Sequence, residues 1–435
     1  MLEREEPELD ALAREQMEDA LVDGDVAFQR GTAQAALRHR NFRIVYFSTF
    51  ASNIGTWMQN VVLGAYAYKL TGSSSFVGLL FFAQLGPLLF LSTLGGLLAD
   101  VVDRRRLLIS AQLAQLGFSF VLAFVAMGDN PSLALITIAV FAVGIANALG
   151  APGLNAILPT LVPREDLPGA VALASVQMNL SRVIGPLIGA LIYAELDAAP
   201  VFALNALTYL FAVVGLLWAT YPRHTNARVA EQGFARLLSG VRIAKRDPVI
   251  SHILVTLFTF SFFSLAFVGL MPVIADQSFN IGPKSFEYGV LYSCFGFGAV
   301  LGAMSVGTVF TRVRKTTLLR PAFFAFAAVL AVFALIQVAA LAYPVALLLG
   351  YAYFVALTSL STLIQSHLVD EERGRVMALW IMGFGGTVPV GVLVGGWIGH
   401  ATSVTAVLLV GAAWAVVLAV WSNAEKLRAK GAPDV

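Results

Sequence analysis

One basic residue, Arg182, lies in the middle of a long apolar stretch of this 435-residue sequence. An arginine at the centre of a bilayer costs about 2.5–3.5 kcal/mol on insertion scales, so its side chain is expected to face protein or water. Ser175, Asn179, Pro186 and Gly189 share one helix face with it, because they recur at helical spacing. Two interpretations stay open: Arg182 is a cavity-wall cation for an anionic or carbonyl-rich substrate, or it donates hydrogen bonds between helices.

Two other apolar stretches carry polar stripes, within residues 48–60 and 351–365. Uncharged polar side chains need partners inside a membrane, so these stripes are expected to face the protein interior. A water-filled substrate cavity explains them, and hydrogen bonding between helices is the alternative. The predicted cavity residues are Ser52, Thr56, Gln59, Asn60, Ser175, Asn179, Arg182, Tyr351, Thr358, Thr362 and Gln365.

Carboxylates are scarce in the apolar part of the chain, and none falls near the middle of an apolar stretch. Proton-driven exchange usually needs an ionisable group that both sides of the membrane can reach. Glu195, Asp276 and Glu287 lie near the ends of apolar stretches and are therefore the predicted coupling residues.

Composition excludes several classes of protein. The chain is 58% hydrophobic and 12% charged, with a mean hydropathy of +0.80, whereas a soluble domain has about 25% charged residues. A soluble enzyme, a nucleic-acid-binding protein and a disordered chain are excluded. The sequence has no phosphate-binding loop, so an ATP-driven pump is not expected. Its five histidines lack metal-ligand spacing and no catalytic acid–base pair is present, so we predict no enzyme, no cofactor and no metal site.

Twelve apolar stretches are long enough to cross a membrane as helices of about 20 residues or more. We predict an all-α membrane protein of two pseudo-symmetric six-helix bundles, divided into a head (1–41), an N-terminal half (42–220), a linker (221–248), a C-terminal half (249–424) and a tail (425–435). The predicted spans 1 to 12 are 42–70, 74–100, 104–127, 132–160, 166–195, 199–220, 249–276, 284–311, 316–341, 343–368, 373–399 and 402–424.

The distribution of charge predicts the orientation. With an even number of spans both termini lie on one side, and all but three of the 28 Lys and Arg residues fall on that side. The exceptions are Lys69 and Lys284, in the opposite loops, and Arg182. Positive charge stays on the cytoplasmic side during insertion, so we predict a multi-pass inner-membrane protein with both termini cytoplasmic. We also expect the protein to be monomeric. The acidic head is expected to be a solvated tail or a short amphipathic helix, and not a signal peptide.

The two halves resemble each other when the sequence is shifted by 211 residues. The shift places Gly78 on Gly289 and Gly96 on Gly307, and in both halves a span then ends in a basic loop. Repeated halves around a central site are a recurring plan of transporters.

The segment Gly96–Arg106 resembles the hallmark of the major facilitator superfamily, Gly-x-Leu-Ala-Asp-Arg-x-Gly-Arg-Arg, between spans 2 and 3. It departs from the hallmark at Val101 and Asp103. The resemblance implies a twelve-span fold and a cytoplasmic gate in which the aspartate and arginines latch the halves together. The gate residues expected from it are Gly96, Asp100, Arg104, Arg105, Arg373 and Arg375.

Further segments, Pro159–Pro168, Asn179–Gly189 and Asp370–Met377, resemble the branch of this superfamily that holds the enterobactin exporter and macrolide efflux proteins. Within the second segment, Gly185, Pro186 and Gly189 resemble the fifth-span motif of drug/proton antiporters and are expected to pack helices closely. The basic residue that members often carry in span 4 is missing.

This resemblance implies a secondary active transporter that exports a small amphipathic organic molecule, drug-like or siderophore-like, by alternating access and coupled to protons. The expected partners are therefore the substrate, protons and the lipid bilayer. Two alternatives are kept: a lipid or lysolipid flippase on the same fold, and a non-transporting receptor or regulator whose acidic head recruits partners.

Overall fold

The computed structural model describes residues 30–91, 94, 102–220, 234–423, 427 and 431. All regular secondary structure in these ranges is helical. Two bundles of six spans pack against each other, so the predicted all-α fold of two pseudo-symmetric halves is confirmed.

In the N-terminal half, span 1 is Arg40–Thr71, span 2 begins with Ser74–Leu85, span 3 is Arg104–Ala126, span 4 is Leu133–Ile157, span 5 is Leu167–Glu195 and span 6 is Ala198–Trp218. A linker helix, Phe234–Arg246, follows. In the C-terminal half, span 7 consists of Pro248–Phe263 and Ala266–Phe279, span 8 is Phe286–Thr308, span 9 is Lys315–Leu335 and span 10 is Ala339–His367. Span 11 runs from Asp370–Ile381 through a π-helical turn, Met382–Gly386, into Thr387–Ala401, and span 12 is Val404–Trp421.

Eleven of these spans are both long and apolar enough to cross a membrane. Span 1 is the exception because polar residues lie along it. Its 32 residues nevertheless extend for about 48 Å at 1.5 Å per residue, which exceeds the ~30 Å hydrocarbon core of a bilayer.

One predicted boundary differs from the described helices by more than three residues. Span 9 ends at Leu335 and span 10 begins at Ala339, several residues earlier than the predicted boundary at 341–343. Ile336 is extended (ψ 146°) and breaks the helix. The connecting residues Ile336, Gln337 and Val338 include no Gly or Pro, so the sequence gives no sign of the break.

One side of the bundle, here called the terminal face, holds both termini of the described chain, the start of span 1 and the linker helix. The opposite side is here called the far face. On the terminal face, one histidine–aspartate pair in each half joins the ends of two spans. His39, before span 1, lies 2.8 Å from Asp166, before span 5. In the other half, Asp247, before span 7, lies 2.8 Å from His367, at the end of span 10.

Residues 30–39, which the sequence groups with the head, pack against the N-terminal half. They form a short helix, Ala33–Arg38, in which Ala36 is fully buried. Gly169 of span 5 lies against the backbone of Thr32, where a side chain would not fit. Gly31 donates its N–H to Asp166 at 3.0 Å. The end of the head is therefore part of the folded bundle.

Candidate functional site

A cavity of about 390 Å³ lies between the two halves at mid-depth, where spans 1, 2, 4 and 5 face spans 7, 8, 10 and 11. Its volume falls in the range of about 300–1,000 Å³ that is usual for small-molecule sites. Its polar lining residues are Asn53, Thr56, Asn60, Gln84, Asn147 and Arg182, and its aromatic ones are Trp57, Phe81, Tyr288, Tyr292, Phe295, Tyr353 and Phe384. No Asp or Glu is found among the described residues that line it.

Two of the lining spans are irregular close to the cavity. Span 7 breaks at Ser264, and the helix that resumes contributes Val268 and Gly269 to the wall. The π-helical turn of span 11 contributes Phe384 and Gly385. Broken helices at mid-membrane and π-turns are both frequent at functional sites, and here they come from the C-terminal half.

Arg182 lines the cavity between two aromatic rings from opposite halves. The centre of its guanidinium lies 4.9 Å from the ring centroid of Trp57 in span 1 and 4.9 Å from that of Phe354 in span 10. Its Nε atom is buried and has no hydrogen-bond partner among the described residues. Cation–π contacts of this kind are worth about 0.5–2 kcal/mol each.

Of the predicted cavity residues on span 1, the structure places Thr56 and Asn60 at the cavity wall. Gln59 instead faces span 6, where its side-chain oxygen accepts a hydrogen bond from Asn205 at 2.8 Å. Ser52 is buried away from the cavity. Span 1 therefore uses its polar residues both to line the cavity and to hold the N-terminal half together.

On spans 5 and 10 the predicted stripes extend beyond the cavity. Ser175 and Asn179 lie nearer the terminal face, where Asn179 donates to the carbonyl oxygen of Ser175 at 2.8 Å. Span 10 contributes Tyr353 to the wall. The described lining does not include the predicted Tyr351, Thr358, Thr362 and Gln365. The aromatic walls and the isolated amides Asn53, Gln84 and Asn147 have no sequence signal beyond their residue types.

The fifth-span glycines lie in a close contact within the N-terminal half. A Cβ atom added at Gly185 would lie 2.6 Å from the Cβ of Trp57, and one added at Gly189 would lie 2.7 Å from Cγ of Met58. The backbones of spans 5 and 1 therefore touch beside Arg182. Between these glycines, the carbonyl of Pro186 points toward span 8 of the other half, near Gly289.

Two of the expected gate residues, Gly96 and Asp100, lie outside the described residues. Arg105 donates from Nε to the carbonyl of Leu216 at 2.9 Å and from Nη2 to that of Leu217 at 2.6 Å, which ties span 3 to the end of span 6. Arg375 donates to Oγ of Ser239 in the linker helix at 2.9 Å. Arg104 and Arg373 lie in the first turns of spans 3 and 11. The latch between the halves stays a prediction.

The halves meet tightly on the far side of the cavity. A Cβ atom added at Gly78 in span 2 would lie 2.8 Å from the carbonyl oxygen of Val392 in span 11. Ser74 donates from Oγ to the carbonyl of Gly396 at 2.8 Å, and the Tyr68 hydroxyl donates to Asp276 Oδ2 at 3.2 Å. These contacts close the far face over the cavity.

Three glycines of span 8 show that the halves separate toward the terminal face. An added Cβ at Gly289, near the far face, would overlap the Cβ of Ala190 in span 5. At Gly296 it would lie 3.0 Å from the carbonyl oxygen of Arg182, and at Gly307 it would have no neighbouring atom within 4 Å. The described parts of spans 5 and 8 thus close the far face and diverge toward the terminal face.

A charged cluster on the far face, here called the far-face latch, joins the last turn of span 1 to the 5–6 and 7–8 loops. Asp197, before span 6, lies 3.3 Å from Lys284 of the other half and 3.8 Å from Lys69. Both ammonium groups also lie within 6 Å of the centroid of the buried Tyr193 ring, at 5.8 and 5.9 Å. Asp197 has φ 117°, which is rare for a residue with a side chain. The two lysines are the exceptions to the charge asymmetry, and both pair with this acid.

We expect Asp197→Asn to weaken closure of the far face by a few-fold. The side chains of Asp197 and Lys284 are 46% and 31% exposed, and partly exposed ion pairs are worth about 0.2–1 kcal/mol each. Labelling of a cysteine at Asn60 by an impermeant maleimide added on the far side should become faster, in a background where the lone Cys294 is alanine. Asp129→Asn, at an exposed acid of the 3–4 loop, is the control, and equal labelling rates in all three proteins would contradict the latch.

The family model described as "Transmembrane secretion effector" matches residues 31–435. The chain is 27% identical over 344 residues to the enterobactin exporters of Shigella boydii serotype 4 (strain Sb227) and Escherichia coli O1:K1 / APEC, which covers 79% of this chain and 81% of each exporter. Among solved structures, the nucleoside transporter NupG aligns with a TM-score of 0.71 at 14% identity, over 90% of this chain and 99% of that one. A bacterial homologue of the human lysosomal transporter Spinster aligns with a TM-score of 0.68 at 15% identity, over 90% and 97%.

Proposed function

We infer the function from the family to which the chain belongs, the transmembrane secretion effector family, and from its fold, which is that of the major facilitator superfamily. It is a multi-pass membrane transporter of small molecules and not an enzyme. We propose that it exports a small amphipathic organic molecule by alternating access, with the terminal face cytoplasmic.

The observation that carries this proposal is the central cavity, which is closed on the far side and lies between halves that diverge toward the terminal face. A molecule in the cytoplasm would enter between spans 5 and 8 and meet an apolar, aromatic wall. Export then requires the far-face contacts to open and the terminal ends to close. The expected gate, Gly96, Asp100, Arg104, Arg105, Arg373 and Arg375, would hold that second state. The exporters named above support the outward direction of transport.

Inverted membrane vesicles test the proposal, because their cytoplasmic face is turned outward and an exporter fills them. Vesicles that contain the protein should accumulate at least one aromatic organic compound from a panel of labelled candidates, and an uncoupler should abolish the accumulation. A protein that accumulates none of them, while it remains folded by size-exclusion chromatography, would contradict an export function.

We propose that transport is coupled to protons and that Asp276 is the coupling residue. Asp276 accepts a hydrogen bond from Tyr68 of the other half, so its ionisation is linked to closure of the far face. Glu195 and Glu287, the other candidates, are exposed at the far ends of spans 5 and 8. Their positions give them no comparable link to the movement of the halves.

Asp276→Asn is therefore expected to uncouple transport from the pH gradient. In proteoliposomes, accumulation driven by an imposed gradient should be lost, while exchange of labelled for unlabelled substrate across equal pH should continue. Glu287→Gln removes an exposed carboxylate in the first turn of span 8 without touching the Tyr68 contact and is the matched control. Gradient-driven accumulation that is unchanged in Asp276→Asn would exclude this residue as the coupling group.

A further inference from the structure

We propose that Arg182 binds the anionic group of the transported molecule, so that the substrate is an organic anion with an apolar, preferably aromatic, body. This inference rests on the proposed transport function and specifies its substrate class. Two observations support it: the surroundings of the Arg182 guanidinium and the charge of the cavity.

The guanidinium makes no hydrogen bond or ion pair with any residue that the structure describes, although it lies at mid-membrane depth. A charge taken out of water is strongly destabilising unless it is paired and hydrogen-bonded. Two cation–π contacts offset only part of that cost. A helix-packing role would give the side chain carbonyl acceptors, whereas its buried Nε atom has no acceptor among the described residues. The missing partner is therefore best supplied by a ligand.

The shape of the guanidinium favours an oxyanion as its partner. Its central carbon lies 4.9 Å from the ring centroids of both Trp57 and Phe354, so aromatic rings from both halves contact the group but accept none of its N–H hydrogen bonds. Its N–H donors lie in the plane, at the edge, and form the fork that suits a carboxylate, sulfonate or phosphate. Bidentate bonds of this kind are about twice as strong as neutral hydrogen bonds.

The charge of the cavity points the same way. Arg182 is the one charged residue among the described lining, and no carboxylate competes for it. An uncompensated cation in a low-dielectric cavity attracts anions and repels organic cations. Tyr288, Tyr292 and Tyr353 line the same space, and a tyrosine hydroxyl can donate a further hydrogen bond to an oxyanion. Aromatic side chains around them contact the apolar body.

Isothermal titration of the full chain in lipid nanodiscs tests the inference with a matched pair of probes, 2-naphthoate and 2-naphthamide, which differ in charge and share their ring system. Empty nanodiscs correct for partition into lipid. The wild-type protein should bind the acid at least tenfold more tightly than the amide, since hydrogen bonds to charged groups contribute about 1.5–3 kcal/mol. Arg182→Gln should remove this preference, so that it binds the acid no more tightly than the amide.

Arg320→Gln is the matched control, because Arg320 is exposed and lies over Phe324 at 5.9 Å, far from the cavity. It should keep the full preference for the acid. Arg182→Lys, which keeps the positive charge but lacks the planar fork, should bind the acid about threefold more weakly than wild type and still prefer it to the amide. This variant keeps the inference testable if the glutamine protein fails to fold.

Equal binding of acid and amide by the wild type, including no binding of either, would overturn the inference, and so would a preference that survives in Arg182→Gln. These outcomes leave the export function intact, since that is tested by accumulation in vesicles. Conversely, a protein that binds 2-naphthoate through Arg182 but accumulates no compound would contradict export and not the anion site.

Discussion

Gly289→Leu is expected to abolish transport and leave the protein folded. In the far-closed state a side chain at Gly289 would overlap Ala190 and lie within about 3 Å of the Pro186 carbonyl oxygen, in the contact between the halves. Overpacking costs typically about 1–3 kcal/mol, and 1.4 kcal/mol changes an equilibrium constant tenfold. The variant should therefore populate the far-closed state about 5- to 150-fold less than wild type. Each half keeps its own core, so the folded yield should be unchanged.

Accumulation in inverted vesicles measures this effect, with folded yield followed by size-exclusion chromatography. Gly117→Leu is the matched control, because Gly117 is exposed on span 3 and has no atom within 4 Å of an added Cβ. It should transport like wild type. Normal transport by Gly289→Leu would show that the contact between spans 5 and 8 does not need to close.

Gly298→Leu is expected to have the opposite signature, a loss of folded protein. Gly298 follows Gly289 by about two and a half turns of span 8 and therefore lies closer to the terminal face. A Cβ atom added at Gly298 would overlap the carbonyl of Leu347 in span 10. Gly350 of span 10 is equally close to the carbonyl of Phe295 in span 8. Both spans belong to the C-terminal half, so the clash cannot be relieved by opening the transporter.

The expected loss of stability is about 3 kcal/mol or more, at the upper end of the usual cost of overpacking a core. Most of the Gly298→Leu protein should aggregate or be degraded, and the remainder should melt at a lower temperature in detergent. A leucine variant that is as stable as Gly117→Leu would contradict the packing of spans 8 and 10. Together, Gly289 and Gly298 separate contacts that move during transport from contacts that hold one half together.

The architecture could be predicted because membrane insertion depends on quantities that a sequence displays. Apolar length defines spans, and the asymmetry of Lys and Arg predicts their orientation. Arg182 was recognisable for the same reason, since a charge inside an apolar span needs a special environment. The shift that pairs Gly78 with Gly289 was informative too, because both glycines lie in far-side contacts between the halves.

The cavity wall could be predicted only in part. A polar stripe shows that a helix face is not exposed to lipid, but it does not distinguish a cavity from a neighbouring helix. Gln59 and Asn60 illustrate this: Gln59 accepts a hydrogen bond from Asn205 of span 6, whereas Asn60 beside it lines the cavity. Tyr351 and Tyr353 are two residues apart and therefore point to different sides of span 10. Aromatic residues are spread over most spans, so their number does not reveal which of them meet.

The far-face latch was missed because its residues are distant in sequence. Asp197 has no motif around it, and its two partners lie in the last turn of span 1 and in the 7–8 loop. A signal was present in Lys69 and Lys284, which break the charge asymmetry. An isolated basic residue on the predicted outer side therefore indicates an ion pair with an acidic residue on the same side.

The central claim is that the halves alternately open one cavity to either face, and distance measurements test it most directly. Spin labels at Asn130 and Ala401 report the width of the far face, and labels at Ser110 and Thr311 report that of the terminal face; all four sites are exposed in the structure. We expect wild type in nanodiscs to favour a short far-face and a long terminal-face distance, and Gly289→Leu to reverse both. Two distances that are the same in both proteins, or that lengthen together, would contradict alternating access.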